Sequence, residues 1–327
     1  MIILSTTSGW NLGDDLIREG VYNVLEIDPK SSILWLNRNQ ISVKDKEEGY
    51  RWTPQWRLQR NYPQINDLIK YVNAFIVAGT PEWGNTLLKV YKLCIKFNIP
   101  IYIVGVGMYQ ADYIINIIKK ANEKKLIKGA TVRDIWAMKY LKSANIDAKW
   151  FFDPAFHANY KHEGKKEDVI FTPLLIDKFR DFYMNLYEQI KEKISIISVH
   201  EPFEYIRAKQ LFEEPIFYNS DYKAYKSLYS ACKYYIGGRS HGCIPVMASG
   251  GFAHIFEHKK KQEMLLKWAN EFSREGIIPN IKVHDPDEYS SLNIQDHEEY
   301  NFSEIKSHLI LDLERHREYW KGKIDGI

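Results

Sequence analysis

Short apolar runs that alternate with helical patterns constrain this chain more than any other feature. Residues 2–5, 32–36, 74–78, 101–104, 130–132 and 149–152 are such runs, each too short and too uniformly apolar for a half-exposed strand. Helical spacing is predicted between them: a first helix carried by Leu16, Val21, Val24 and Leu25, then segments at 65–72, 86–97, 114–125 and 134–143. Strands that are apolar on both faces belong to a parallel sheet covered on both sides, because parallel neighbours need a crossover and the crossover is usually a helix. The first half therefore reads as Rossmann-like. Residues 45–62 are charged, aromatic and interrupted by Pro54, and read as an irregular loop.

The alternation pauses and then restarts. Residues 157–168 are polar, lysine-rich and contain Gly164, the composition of an interdomain linker. Strands are predicted at 169–172, 194–199, 216–218, 234–237 and 253–256, with helices at 179–191 and 222–232. An amphipathic helix begins at Ser303, read as its cap, and runs to about Lys321. The 327 residues suit two domains at roughly 100–200 residues each. The expected organisation is α/β, with two Rossmann-like domains at 1–160 and 165–302 facing across a cleft and a terminal helix, 303–327, packed across the pair.

Composition narrows the function classes. The 45 Lys and Arg nearly cancel the 42 Asp and Glu, so no general affinity for nucleic acid is expected and any anion site must be local. Cys94, Cys232 and Cys243 are far apart, with no paired spacing for zinc or thiol redox chemistry. The first residues lack a basic flank and a long apolar run, and no stretch reaches 18 uncharged apolar residues. A cytoplasmic chain is expected, with a peripheral contact at the inner face of a membrane left open. Lys259, Lys260 and Lys261, near Lys267, read either as a solvated face or as a steering patch for an anionic lipid-linked substrate. His254 and His258 have the spacing of helical metal ligands, but the surrounding run looks extended, so no metal site is read.

The stretch from Tyr234 to Gly250 carries the most chemistry. It reads as strand, glycine turn and helix, with Arg239 and His241 at the junction, where unpaired N–H groups and the helix dipole favour a phosphate or carboxylate. Pro245 is expected in the first helical turn, where its missing donor costs little. Two readings stay open: Arg239 paired with an acid and His241 capping the helix, or a bound anion with a histidine proton donor. Arg133-Asp134 is a similar strand edge, readable as a cap with its ion-pair partner or as a second anion anchor. Asn11 and Asp14 cap the first helix or reach a substrate hydroxyl.

In order, Asn11-Leu12-Gly13-Asp14, the turn 75–84, Gly105-Val106-Gly107, Val132-Arg133-Asp134, Asp153-Pro154-Ala155 and Gly238-Arg239-Ser240-His241-Gly242 resemble the polysaccharide pyruvyl transferase family. The resemblance implies a fold of the glycosyltransferase B kind, with acceptor on the N-terminal side and donor on the C-terminal side. It implies transfer of the enolpyruvyl group of phosphoenolpyruvate to two hydroxyls of one sugar, giving a pyruvate ketal and phosphate without a cofactor. The acceptor is a sugar, an oligosaccharide or its lipid-linked form. By the same resemblance Arg133 and Arg239 bind the donor, as does the main chain around Ser240 and His241, with Gly242 beside them. The residues themselves suggest His241 as the catalytic proton donor and Asn11, Asp14, Glu82 and Trp83 as acceptor contacts: a Trp83 face can stack on a sugar ring while Glu82 bonds its hydroxyls, the alternative being a Trp83 that only packs at the surface. Both guanidinium tips and the imidazole are expected to meet in one hollow, with Asp14, Glu82 and Asp153 as candidate bases. The chain departs from the family at 78–84, where a glycine run is usual, and at Ser240, where an aliphatic residue is common. A sugar-nucleotide glycosyltransferase and a noncatalytic carbohydrate-binding or partner-binding homologue are the alternatives. A homo-oligomer is left open.

Overall fold

In the computed structural model all ten described strand pairings are parallel. The structure describes residues 1–5, 12–28, 31, 33–35, 68–80, 85–108, 112–160, 168–219, 221–257 and 259–324. One six-stranded sheet has the order β2-β1-β3-β4-β5-β6. It is formed by β1 (Ile2–Leu4), β2 (Ile33–Trp35), β3 (Ala74–Ala78), β4 (Ile101–Val106), β5 (Ile127–Val132) and β6 (Lys149–Trp150). The other has the order β12-β11-β10-β7-β8-β9. Its strands are β7 (Val169–Thr172), β8 (Ile196–Ser198), β9 (Ile216–Phe217), β10 (Tyr234–Gly237), β11 (Phe252–Phe256) and β12 (Ile281–His284).

The helices are those the crossovers require. In the first half they are α1 (Leu12–Leu25), α2 (Asn85–Phe97), α3 (Asp112–Glu123) and α4 (Ile135–Ser143). In the second they are α5 (Asp177–Ile190), α6 (Pro202–Leu211), α7 (Tyr222–Ala231), α8 (Ser240–Ala248) and α9 (Lys259–Arg274), followed by α10 (Phe302–Trp320). Every residue of β3 and β4 is buried, which is why these strands read as unbroken apolar runs rather than as alternation. Leu87, Val90, Tyr91 and Cys94 bury one face of α2 at helical spacing. Among the described residues no helix is long and apolar enough to cross a membrane.

Strand order turns over between β1 and β3 in the first sheet and between β7 and β10 in the second. Loops leaving the C-terminal ends of strands at such switch points have no neighbour above them, so ligands collect there. A single apolar cluster joins the halves, running from Leu16 and Val21 of α1 through Phe152 and Phe156 to Ile244, Trp268, Phe272 and Trp320. Lys226 adds an ion pair across the junction, donating to Glu19 at 2.7 and 2.8 Å. The last helix crosses between the halves. Tyr300 Oη donates to the Gly250 carbonyl at 3.0 Å, whereas at the far end Tyr319 Oη accepts from the Ala130 amide at 3.0 Å.

Several local expectations need correction. Asn301, not Ser303, caps α10: its Oδ1 accepts from the Ser303 amide at 3.1 Å while its Nδ2 donates to Glu304 at 2.9 Å. The described part of 65–72 ends in a short 3-10 turn, Ile69–Tyr71. Pro245 lies inside α8 as its sixth residue, because the helix already starts at Ser240. Its missing N–H therefore removes the intrahelical donor to the His241 carbonyl. Helices α6 and α9 and strand β12 have no counterpart in the sequence reading.

Candidate functional site

Four side chains from separate elements meet where the halves join. Arg133 follows β5, Thr80 follows β3, Asp153 follows β6, and His241 is the second residue of α8. Arg133 Nη1 donates to Asp153 Oδ2 at 2.5 Å and lies 3.1 Å from His241 Nε2, while its Nη2 donates to Thr80 Oγ1 at 3.2 Å. His241 Nε2 is also 3.3 Å from Asp153 Oδ2. The imidazole nitrogen thus sits between a fixed donor and a fixed acceptor. When neutral it accepts from Arg133, and when protonated it donates to Asp153, so both states of a proton-transfer cycle keep a partner.

Asp153 fulfils two roles with its two oxygens. Oδ1 accepts from the Ala155 amide at 2.9 Å and caps the 3-10 turn Pro154–His157, as an Asp-Pro step ordinarily does. Oδ2 holds Arg133 and His241. Burial works against the carboxylate charge, but the Arg133 guanidinium and His241 more than offset it and hold this carboxyl well below the usual range. Such a group is a poor proton acceptor. Of the three candidate bases Asp153 is therefore better suited to orienting the imidazole than to deprotonating a hydroxyl.

Two helix starts border the cluster. Arg239 has extended backbone (φ −110°, ψ 106°) and no side chain caps α8, so the Ser240 and His241 amides open the helix uncapped, while the Gly242 and Cys243 amides donate to the Arg239 carbonyl at 2.8 and 3.3 Å. In the first turn of α1, a Cβ on Gly13 would stand 2.5 Å from His241 Cγ, so only glycine lets the two helix starts approach this closely. Asp14, next in that turn, is half-buried. Gly107 makes a similar allowance beyond β4, where a Cβ would lie 2.6 Å from Arg133 Nε. The arrangement concentrates fixed positive dipole and one guanidinium around a histidine, as an anionic substrate requires.

Arg239 behaves differently from the expectation of a shared hollow. Its Nη1 donates to Glu201 Oε1 at 3.0 Å and its Nη2 to Glu204 Oε1 at 2.5 Å. Burial opposes its charge, but Glu204 and Glu201 outweigh burial and hold it protonated. Tyr235 fixes the turn from below: its Oη accepts from the Arg239 amide at 3.0 Å and donates to the Arg239 carbonyl at 2.9 Å. Ser240 Oγ donates to the buried Glu257 at 3.2 Å, and Gly242 packs on the Tyr235 ring, which a Cβ would approach to 2.8 Å. His200, behind the turn, lies 2.7 Å from Tyr229 Oη, and burial with the nearby Arg239 and His241 pushes its pKa well below the ordinary value.

The structure therefore brings Arg133 and His241 together and directs Arg239, Ser240 and Gly242 into the support of the turn. Asn11, Glu82 and Trp83 lie outside the described residues, as does His258. Thr80, Glu201, Glu204 and Tyr235 were not singled out as site residues from the sequence, whereas Glu257 is read there as the candidate ribose-holding carboxylate of the sugar-nucleotide alternative. Only the apolar, strand-like setting of Tyr235 and the position of Glu257 just past a strand gave a local signal.

Comparison with known proteins agrees with this architecture. Structures similar over nearly the whole chain include the UDP-GlcNAc 2-epimerase of Methanocaldococcus jannaschii in complex with UDP-GlcNAc and UDP, at 13% identity and a TM-score of 0.52, covering 97% of this chain and 93% of that one. The Neisseria meningitidis UDP-GlcNAc 2-epimerase bound to UDP-GlcNAc is similar at 11% identity and a TM-score of 0.50, covering 99% and 94%. The Staphylococcus aureus MnaA–UDP co-structure gives 9% and 0.54, covering 97% and 89%. Likeness at this identity identifies the fold alone, which is the two-domain α/β fold of the glycosyltransferase B kind. No curated protein sequence matches the chain. A family model for polysaccharide pyruvyl transferase matches residues 11–251.

Proposed function

The chain belongs to the polysaccharide pyruvyl transferase family, and we propose that it forms a pyruvate ketal on a sugar from phosphoenolpyruvate. The observation that carries this reading is the contact of Arg133, Asp153 and His241 across the two halves. Phosphoenolpyruvate brings a carboxylate and a phosphate, which a guanidinium fork and the amides at the start of α8 can hold apart.

In the proposed route, protonated His241 gives its proton to the methylene carbon, leaving positive charge on the carbon that bears the phosphate. A sugar hydroxyl attacks that carbon and loses its proton. Phosphate then leaves with its bonding electron pair, and a second hydroxyl of the same sugar closes the ring and loses its proton. One proton restores His241 and the other leaves with phosphate or solvent. Asp153 stabilises the imidazolium before transfer, and Arg133 supplies the hydrogen bond to neutral Nε2 afterwards. Asp14, in the adjoining helical turn, is the described candidate for taking a hydroxyl proton.

Incubation with phosphoenolpyruvate and candidate oligosaccharides tests the reading. Phosphate release together with the mass gain of one ketal on the sugar is expected. Turnover of phosphoenolpyruvate without any change in the sugar would reject it.

A sugar-nucleotide reading has one specific support, the buried Glu257 just past β11, which could hold a ribose. The structural neighbours named above were solved with UDP or UDP-GlcNAc. Thermal stabilisation by a nucleotide sugar, with no response to phosphoenolpyruvate, would favour it.

A further inference from the structure

Away from the site, where α10 crosses the first half, two imidazoles and a carboxylate are buried together. His157 ends the 3-10 turn that Asp153 caps, whereas Asp312 and His316 are four residues apart on α10 and share one face of that helix. One ring nitrogen of each histidine and a carboxylate oxygen of Asp312 all lie within 4.8 Å of one another. All three residues are buried, with His316 at 0% exposure.

Two features exceed what a helix contact needs. Asp312 is a buried carboxylate whose described partners are His157 Nε2, at 2.9 Å, and the Phe152 amide, at 3.5 Å, with no lysine or arginine among them. His316 has one nitrogen, Nε2, 2.9 Å from Thr131 Oγ1, and its other nitrogen, Nδ1, is buried without a hydrogen-bond partner among the described residues. A ligating histidine ordinarily donates its second N–H to an outer partner, which fixes the tautomer and leaves the first nitrogen as a lone pair. Thr131 fits as that partner, and the lone pair then falls on the unpartnered Nδ1. The Phe151 ring stacks on this imidazole at 4.2 Å between centroids and limits its rotation.

We propose that His157, Asp312 and His316 bind one divalent transition-metal ion, with zinc the best match to a donor set of two imidazoles and a carboxylate. Ligands about 2.0–2.1 Å from a tetrahedral ion stand roughly 3.3 Å apart, so binding draws the three groups inward. The hydrogen bond between His157 and Asp312 is replaced by a bond from each to the ion, and the Nε2 proton moves to Nδ1 or to solvent. The ion ties the last helix to the turn that begins at Asp153, and so stiffens the approach to the site without touching substrate.

The test is zinc uptake by the full-length protein after dialysis against a chelator, read by elemental analysis and by thermal unfolding. The wild type is expected to take up one tightly held equivalent and to gain a few degrees in Tm at a hundredfold excess over Kd. His316→Gln and Asp312→Asn, confirmed folded by circular dichroism, are expected to lose that equivalent and the gain in Tm. Absence of a stoichiometric equivalent in the wild type would overturn the proposal, a result that needs no variant to fold. Full retention of the zinc by either variant would overturn it as well.

Discussion

Two arginines occupy matching places in the two halves, each within two residues of the end of a parallel strand and just before a helix. Arg133 meets an acid of its own half and an imidazole from across the junction, whereas Arg239 is clasped only by glutamates of its own half. The local signals are nearly the same and the outcomes differ. A strand-end arginine becomes part of a site when its counter-ion is shared with a titratable group, as Asp153 is shared with His241. It becomes part of the scaffold when carboxylates neutralise it completely.

The largest effect that sharpens this contrast is expected at His241. His241→Ala should slow ketal formation by roughly 100-fold or more as a lost general acid. Unchanged phosphate release would assign the proton to another group. The arginines should separate next. Arg133→Ala leaves buried Asp153 without its guanidinium, and Arg239→Ala does the same to buried Glu204, so each is expected to cost about 3–5 kcal/mol in chemical unfolding. A second change distinguishes them: Glu204→Gln should recover part of the stability lost in Arg239→Ala and restore turnover with it, whereas Asp153→Asn should recover stability in Arg133→Ala without restoring turnover.

Smaller effects test the geometry around the pair. Gly13→Ala pushes a methyl group into the His241 ring and is expected to lower kcat by about tenfold to a hundredfold, since displacement of a catalytic group by an ångström can cost this much. Its Tm should move far less than that of the arginine variants. Acid should weaken the second half in particular. Burial, with smaller contributions from neighbouring charges, lowers His254 to about 4 and His284 to about 3, from an ordinary 6.5. The unfolded chain binds these protons first, so the stability present above pH 6.5 should fall between pH 6.5 and about 3, and a His284→Phe variant should flatten that slope. Asn301→Ala, which removes the cap of α10, is expected to cost about 1 kcal/mol.

Much of the fold was legible because parallel strands are buried on both faces and announce themselves as short apolar runs. Helix α9 was hidden by its opening lysines, although Met264, Leu265, Trp268 and Phe272 repeat at helical spacing. Strand β12 lies at a sheet edge and is only partly buried, so its residues carry little pattern. The cap at Asn301 was missed for Ser303 because both residues suit the position. In the site, Arg133 and His241 were legible as residue types at strand-to-helix junctions. Pairing of Arg239 with an acid was one of its two open readings, but the acids themselves were not legible, because Glu201 and Glu204 precede it by 38 and 35 positions with no signature of their own. The grouping of His157 with Asp312 and His316 escaped notice for the same reason, since the two ends of its hydrogen bond are 155 residues apart.

A double-mutant cycle on phosphate release from phosphoenolpyruvate, built from Arg133→Lys and His241→Ala, tests most directly whether groups from opposite halves act on one reacting centre. If they act as a unit, the double variant should be scarcely slower than His241→Ala alone. Losses that simply multiply would show two independent roles and contradict the shared site.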